Sequence, residues 1–104
     1  MIYLTKIWGK WCGPGWTANQ SKPESTLTRK DRLVPCTDDL DCACKKHDID
    51  IRDNGTSFRS DTNLMRDANK IVANPINLVK NPARYYAAVA IAEAMSLVRW
   101  TRGQ

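Results

Sequence analysis

Apolar positions from residue 37 onwards recur with the spacing of a helix face. The first stripe occupies positions i, i+4, i+7 and i+11 and consists of Leu40, Cys44, His47 and Ile51. This period predicts a first helix over about 37–53, with either Thr37 or Asp38 as its N-cap. A strong turn signal, Asp-Asn-Gly at 53–55, ends this helix.

A second stripe of the same period follows that turn. It consists of Phe58, Asp61, Met65, Ala68 and Val72. The stripe predicts a second helix over about 57–73, which ends before the proline at position 75. A third helix is expected over about 83–99, after a second Asn-Pro break at 81–82, and a short helical turn fits between the two breaks.

Residues 9–36 have a different composition, with three glycines, three prolines and many Ser, Thr and Asn residues. This segment predicts loops, with at most a short pair of extended strands. No longer run alternates with the period of two that a sheet requires, so the expected fold class is mainly α. A chain of 104 residues is expected to form a single domain over 1–104, which excludes a multidomain enzyme.

Charge is distributed unevenly along the chain, whose formal net charge is +5. Residues 1–35 and residues 68–104 each carry +4, whereas residues 36–67 carry −3. Basic ends suit a phosphate-bearing partner, either nucleic acid or an anionic membrane. An ordinary solvated surface is the simpler explanation.

Neither end of the chain has the pattern of a membrane span or a secretory signal. Thirteen of the sixteen residues over 83–98 are apolar, but this run contains Arg84 and Glu93, and about 20 residues are needed to cross a bilayer. We therefore expect a buried or interfacial helix. The first ten residues lack the apolar run of a secretory signal, so the chain is expected to be mature, excised or intracellular.

Each of the first two stripes contains an ionisable residue near its centre, His47 in the first and Asp61 in the second. Core stripes seldom carry such residues. Both are equidistant from Asn54 in the turn, so two antiparallel helices folded about that turn bring them level. A carboxylate that accepts from one imidazole nitrogen leaves the other free to take a proton, as in a general base. The alternative is a buried histidine with a purely structural role.

Residues 11–16, which we call the glycine loop, have the sequence Trp-Cys-Gly-Pro-Gly-Trp. Two glycines that tolerate unusual backbone angles flank a proline that stiffens the turn, so successive carbonyl oxygens can point inwards. Ca²⁺ takes about six to eight oxygen ligands, which carbonyls, waters and a carboxylate can supply. Asp48 follows His47 at the edge of the same helix face and is the candidate carboxylate. Taken alone, Gly-Pro-Gly is also a common turn.

The glycine loop and residues 38–48, Asp-Asp-Leu-Asp-Cys-Ala-Cys-Lys-Lys-His-Asp, together resemble the secreted phospholipase A2 superfamily. That family is marked by an aromatic-Cys-Gly-x-Gly loop and a helix with the pattern Asp-x-Cys-Cys-x-x-His-Asp. The short C-terminal section is most similar to the trimmed versions found in microbes and in virus capsid proteins. The resemblance implies a small disulfide-stabilised fold with two antiparallel catalytic helices, a calcium loop and a C-terminal helix.

The resemblance implies hydrolysis of the sn-2 ester of glycerophospholipids, with release of a fatty acid and a lysophospholipid. His47 is then the general base and Asp61 the residue that orients it, with Asp67 as the second choice. The implied cofactor is Ca²⁺, which binds the phosphate and stabilises the oxyanion. Its implied ligands are the carbonyls of Trp11, Gly13 and Gly15 and the carboxylate of Asp48.

The implied partner is a phospholipid membrane surface, bound peripherally, and not nucleic acid. Residues of the type found at headgroup layers are Trp8, Trp16, Trp100, Lys6, Lys10, Arg99 and Arg102. Leu40, Phe58 and the helix from residue 83 are candidates for the lining of the acyl channel, and ordinary core positions are the alternative.

The resemblance also implies a disulfide between Cys12 and Cys44, which leaves Cys36 and Cys42 as the remaining pair, a pairing the family pattern does not itself supply. Disulfides suit an oxidising compartment, so an extracellular, secreted or virion-associated protein is expected.

The chain departs from the family pattern at three positions. Ala43 splits the family's adjacent cysteine pair, Trp16 replaces the glycine that usually follows the loop, and Ile51 replaces the usual tyrosine. A hydroxyl that supports Asp61 is then expected from elsewhere, from either Tyr85 or Tyr86.

Two other interpretations are open. The side chains of Cys36, Cys42, Cys44 and His47 form the donor set of a structural zinc site, which with basic flanks suits a nucleic-acid-binding module. That interpretation leaves the glycine loop and Asp48 without a role. The other keeps the phospholipase A2-like fold without catalysis, as a lipid-binding or toxin-like module.

Overall fold

A computed structural model describes residues 6–102, and their side chains as far as residue 98. Over these residues the chain forms a small antiparallel hairpin followed by four helices. Their bounds are β1 Trp16–Thr17, β2 Gln20–Ser21, α1 Asp39–Asn54, α2 Phe58–Ala73, α3 Ile76–Lys80 and α4 Pro82–Arg102. Two 3-10 turns, Glu24–Thr26 and Asp31–Leu33, lie between the hairpin and α1. The prediction of a mainly helical protein is confirmed.

Side-chain caps set the ends of the two central helices. The carboxylate of Asp38 accepts from the backbone N–H of Asp41 (2.8 Å), so Asp38 is the N-cap of α1 and Thr37 lies outside the helix. Gly55 follows α1 with a φ of +80°, which favours glycine. Ser57 caps α2 by accepting from the N–H of Ser60 (3.0 Å).

The core lies mainly between α2 and α4. Buried residues on facing sides of these helices are Leu64, Ala68, Ile71, Ala87, Ala88 and Ile91. The small alanines of α4 allow the two helices to pack closely. This contact moves the buried face of α2 away from the predicted stripe, because Met65 and Val72 are only partly buried and Phe58 is 45% exposed.

The predicted pair of extended strands forms a tight hairpin. Ala18 and Asn19 make its two-residue turn with φ values of +50° and +61°, the combination that matches the twist of the flanking strands. The hairpin places the side chain of Thr17 inside the protein, where it is fully buried.

All four cysteines form disulfides, Cys12 with Cys44 and Cys36 with Cys42. The implied pairing is confirmed. The alternative zinc site requires thiolates, and these cysteines do not supply them. No helix in the described residues is long and apolar enough to cross a bilayer.

Candidate active site

The structure brings His47 of α1 and Asp61 of α2 into direct contact. Nε2 of His47 lies 2.8 Å from Oδ1 of Asp61, and both side chains are buried. An ionised carboxylate only accepts hydrogen bonds, so Nε2 carries the proton and Nδ1 is left as the basic nitrogen. The aspartate named as second choice, Asp67, instead lies beside Arg66 on the same helix.

Two carboxylates determine the basicity of this ring. Burial alone would lower the pKa of His47, but its interactions with the carboxylates of Asp48 and Asp61 outweigh it and raise the pKa above its ordinary value. Nδ1 of His47 lies 3.8 Å from Oδ1 of Asp48. The imidazole is therefore held between two acidic side chains, which favour its protonated form.

Asp48 is 6% exposed, and its carboxylate is held by a neighbour that the sequence did not single out. The hydroxyl of Thr17 in β1 donates to Oδ2 of Asp48 at 2.9 Å. Burial raises the pKa of Asp48 to about 6, although its contacts with His47 and Thr17 act in the opposite direction. A carboxylate in this position would gain from a nearby cation.

The glycine loop is attached to the start of α1 through one buried carboxylate. Asp41 accepts hydrogen bonds from the backbone N–H groups of Lys10 (3.0 Å), Trp11 (2.8 Å) and Thr37 (2.9 Å). Gly9 has a φ of +60°, and a Cβ there would lie 2.4 Å from the carboxyl carbon of Asp41. These contacts set the position of the loop relative to α1, which carries His47 and Asp48.

The carbonyl oxygens within the loop already accept hydrogen bonds. The oxygen of Gly13 accepts from the N–H of Trp16 (3.1 Å), and that of Gly15 accepts from the N–H of Lys22 (2.9 Å). Gly13 and Gly15 both have positive φ, +143° and +67°. Because a carbonyl oxygen has two lone pairs, each retains one for another partner.

One cavity of about 210 Å³ joins these groups. Its polar lining residues are His47, Asp48 and Glu24, and the glycine loop contributes Gly13 and Pro14. Its apolar walls include Ile7, Trp11, Leu64, Ile91, Ala94, Met95 and Val98. The cavity thus combines an acid–base pair with a largely apolar lining.

Three expectations about the surroundings of the site are changed. Leu40 and Phe58 are not among the described cavity walls: Leu40 is in the core and Phe58 lies at the exposed start of α2. The helix from residue 83 does contribute walls. Within the described part of the chain, neither Tyr85 nor Tyr86 hydrogen-bonds to Asp61. Their rings pack edge to face against each other (5.6 Å), and Tyr86 is largely exposed.

Of the tryptophans of the headgroup type, Trp8 and Trp16 are partly buried. The indole N–H of Trp8 donates to Asp38 (2.8 Å), and that of Trp16 donates to the carbonyl of Gly9 (3.2 Å). Both rings are thereby fixed in the loop segment. Side chains that lie outside the described residues are those of Arg99, Trp100 and Arg102.

The donor set suits a hard cation such as Ca²⁺. Trp11, Gly13 and Asp48 line the cavity, whereas Gly15 lies just outside it, in the turn that leads to β1. No group of three His, Cys, Asp or Glu side chains in residues 6–98 is arranged around one point. A cation here would therefore depend on peptide oxygens together with carboxylates, which is the oxygen-only chemistry of calcium.

Comparison with family models, with curated proteins and with solved structures gave no match for this chain.

Proposed function

We propose that this protein is a calcium-dependent phospholipase A2 that hydrolyses the sn-2 ester of glycerophospholipids. The observation that carries the proposal is the 2.8 Å contact between Asp61 and His47, which lines a largely apolar cavity. The resemblance of the glycine loop and of residues 38–48 to secreted phospholipases A2 supports the same function.

In the proposed reaction, Asp61 keeps the proton of His47 on Nε2 and holds the ring in place. Nδ1 accepts a proton from a water molecule as the water oxygen attacks the ester carbonyl carbon. The imidazolium then returns this proton to the leaving oxygen of the lysophospholipid, and the fatty acid is released. General base catalysis of this kind contributes on the order of 10²–10⁴ to a rate.

Ca²⁺ would be held by the carboxylate of Asp48 and by the carbonyl oxygens of Trp11, Gly13 and Gly15. When bound, it supplies Lewis-acid stabilisation for the negative charge on the ester oxygen and a contact for the lipid phosphate. The chain's own contribution is to pre-position these donors. Asp41 fixes the loop, and the disulfide from Cys12 to Cys44 ties the loop to α1.

The proposed setting is a phospholipid surface outside the reducing cytosol, in a secreted or virion-associated protein. Two disulfides are typical of oxidising compartments. Basic residues near both ends of the chain suit an anionic membrane surface.

The test uses vesicles of a phosphatidylglycerol that carries different acyl chains at sn-1 and sn-2, with Ca²⁺ present. We expect mass spectrometry to show release of the sn-2 chain alone and accumulation of the matching lysophospholipid. Vesicle binding without release would favour the inactive lipid-binding module, and release of the sn-1 chain would contradict the proposed specificity.

A further inference from the structure

Glu24 is a carboxylate in the lining of the cavity. The proposed reaction gives it no role. It begins the 3-10 turn Glu24–Thr26 that follows Pro23, and it lines the same cavity as Gly13, His47 and Asp48. Its side chain is half-buried, and within residues 6–98 it has neither a hydrogen-bond partner nor a salt bridge. The acidic group thus lines the cavity without a basic side chain paired to it among the described residues.

The other oxygen atoms of the proposed calcium site already accept hydrogen bonds from the protein itself. The hydroxyl of Thr17 donates a hydrogen bond to Oδ2 of Asp48. Backbone N–H groups donate to the carbonyl oxygens of Gly13 and Gly15. Ca²⁺ requires about six to eight oxygen ligands, and its affinity rises with the number of charged ones. Asp48 alone, which already accepts a hydrogen bond from Thr17, would give the calcium shell only one negatively charged ligand.

Glu24 and Asp48 also repel each other. Both acidic side chains line the same cavity, so their negative charges oppose each other. Two like charges near one cavity destabilise the cation-free protein, and a divalent cation between them turns this repulsion into attraction.

We propose that Glu24 is a further calcium ligand, which supplies a second carboxylate beside Asp48. This inference rests on the calcium site of the proposed function and adds a residue to it. Glu24 lies outside both of the sequence motifs on which that site was based.

The test is calorimetric titration of the purified protein with CaCl₂ alone, without lipid. Glu24→Gln keeps the size of the side chain and removes the charge, and we expect it to weaken Ca²⁺ binding on the order of tenfold or more. The matched control is Glu93→Gln, which removes the chain's other glutamate at an exposed position of α4 and should leave the affinity unchanged. Asp48→Asn should abolish binding.

Thermal unfolding provides a second readout, which is the melting temperature without and with Ca²⁺. Without Ca²⁺, Glu24→Gln should raise the melting temperature because the repulsion is relieved, whereas the increase produced by Ca²⁺ should be smaller than in the wild type. Wild-type affinity in Glu24→Gln, with binding still lost in Asp48→Asn, would overturn the role of Glu24 and leave the proposed function standing. No Ca²⁺ binding by the wild-type protein would overturn both.

Discussion

The hydroxyl of Thr17 donates to Oδ2 of Asp48 at 2.9 Å, which joins the hairpin to α1 at the proposed calcium ligand. Thr17→Val keeps the shape of the side chain but leaves a buried carboxylate oxygen without its donor. We expect a loss of about 2 kcal/mol in the free energy of unfolding at pH 8. Thr17→Ser retains the hydroxyl and should lose only about 1 kcal/mol or less. Equal urea-unfolding free energies for the two variants would show that the hydrogen bond contributes nothing.

The contact between His47 and Asp61 can be measured on a single resonance, because His47 is the only histidine of the chain. Its pKa is raised by the neighbouring carboxylates against the opposing effect of burial. Asp61→Asn should therefore lower the His47 pKa in an NMR titration of the imidazole protons. The control is Asp67→Asn on the same helix, which should leave the pKa of His47 unchanged. An unchanged titration midpoint of His47 in Asp61→Asn would contradict the contact between His47 and Asp61.

The stability of the calcium-free protein should depend on Asp48 between about pH 4 and pH 6. Burial raises its pKa from 3.8 to about 6, so the folded protein binds this proton more tightly than the unfolded chain. The resulting stability is fully present below pH 4 and is lost as the pH rises through 6, by up to about 3 kcal/mol. Urea unfolding at several pH values should show this loss in the wild type and not in Asp48→Asn. Parallel pH profiles for the two proteins would contradict it.

The affinity for Ca²⁺ should depend on pH in the opposite direction from the stability of the calcium-free protein. A protonated Asp48 cannot act as a ligand, so the affinity for Ca²⁺ should fall by about tenfold per pH unit below pH 6. An affinity that stays constant from pH 7 to pH 5 would show that Asp48 is not a ligand.

The packing of Gly9 against Asp41 predicts a loop variant with an effect on the site. Gly9→Ala places a methyl group on the carboxylate that positions the glycine loop, at a positive φ. Gly55→Ala also meets a positive φ, but its Cβ enters open space. Each should lose about 1–3 kcal/mol of stability from backbone strain, and only Gly9→Ala should also weaken Ca²⁺ binding. Equal Ca²⁺ affinities would mean that Asp41 does not organise the loop.

Helical periodicity was sufficient to predict the part of the site that lies on regular structure. His47 and Asp61 occupy predictable positions on α1 and α2, since their distance from the turn determines their level along each helix. The same periodicity placed Met65 and Val72 in the buried stripe, where the structure has Leu64 and Ile71. The orientation of α2 about its axis depends on contact with α4, which no local pattern contains.

The residues that sequence reasoning missed all act across irregular segments. Thr17, Glu24 and Asp41 reach the site or its loop through the hairpin, a 3-10 turn and the start of α1. Their partners lie some 30 residues away, or across a cavity, and loop geometry determines those contacts. A buried Thr in a short strand gives no signal in sequence that distinguishes it from an ordinary polar residue.

The most direct measurement is the rate of fatty-acid release from phosphatidylglycerol vesicles by the wild-type protein and by His47→Gln. We expect release with Ca²⁺, loss of release with a chelator, and a decrease on the order of 10²-fold or more in His47→Gln with its fold intact by circular dichroism. Hydrolysis that continues in His47→Gln, or in the presence of chelator, would contradict it.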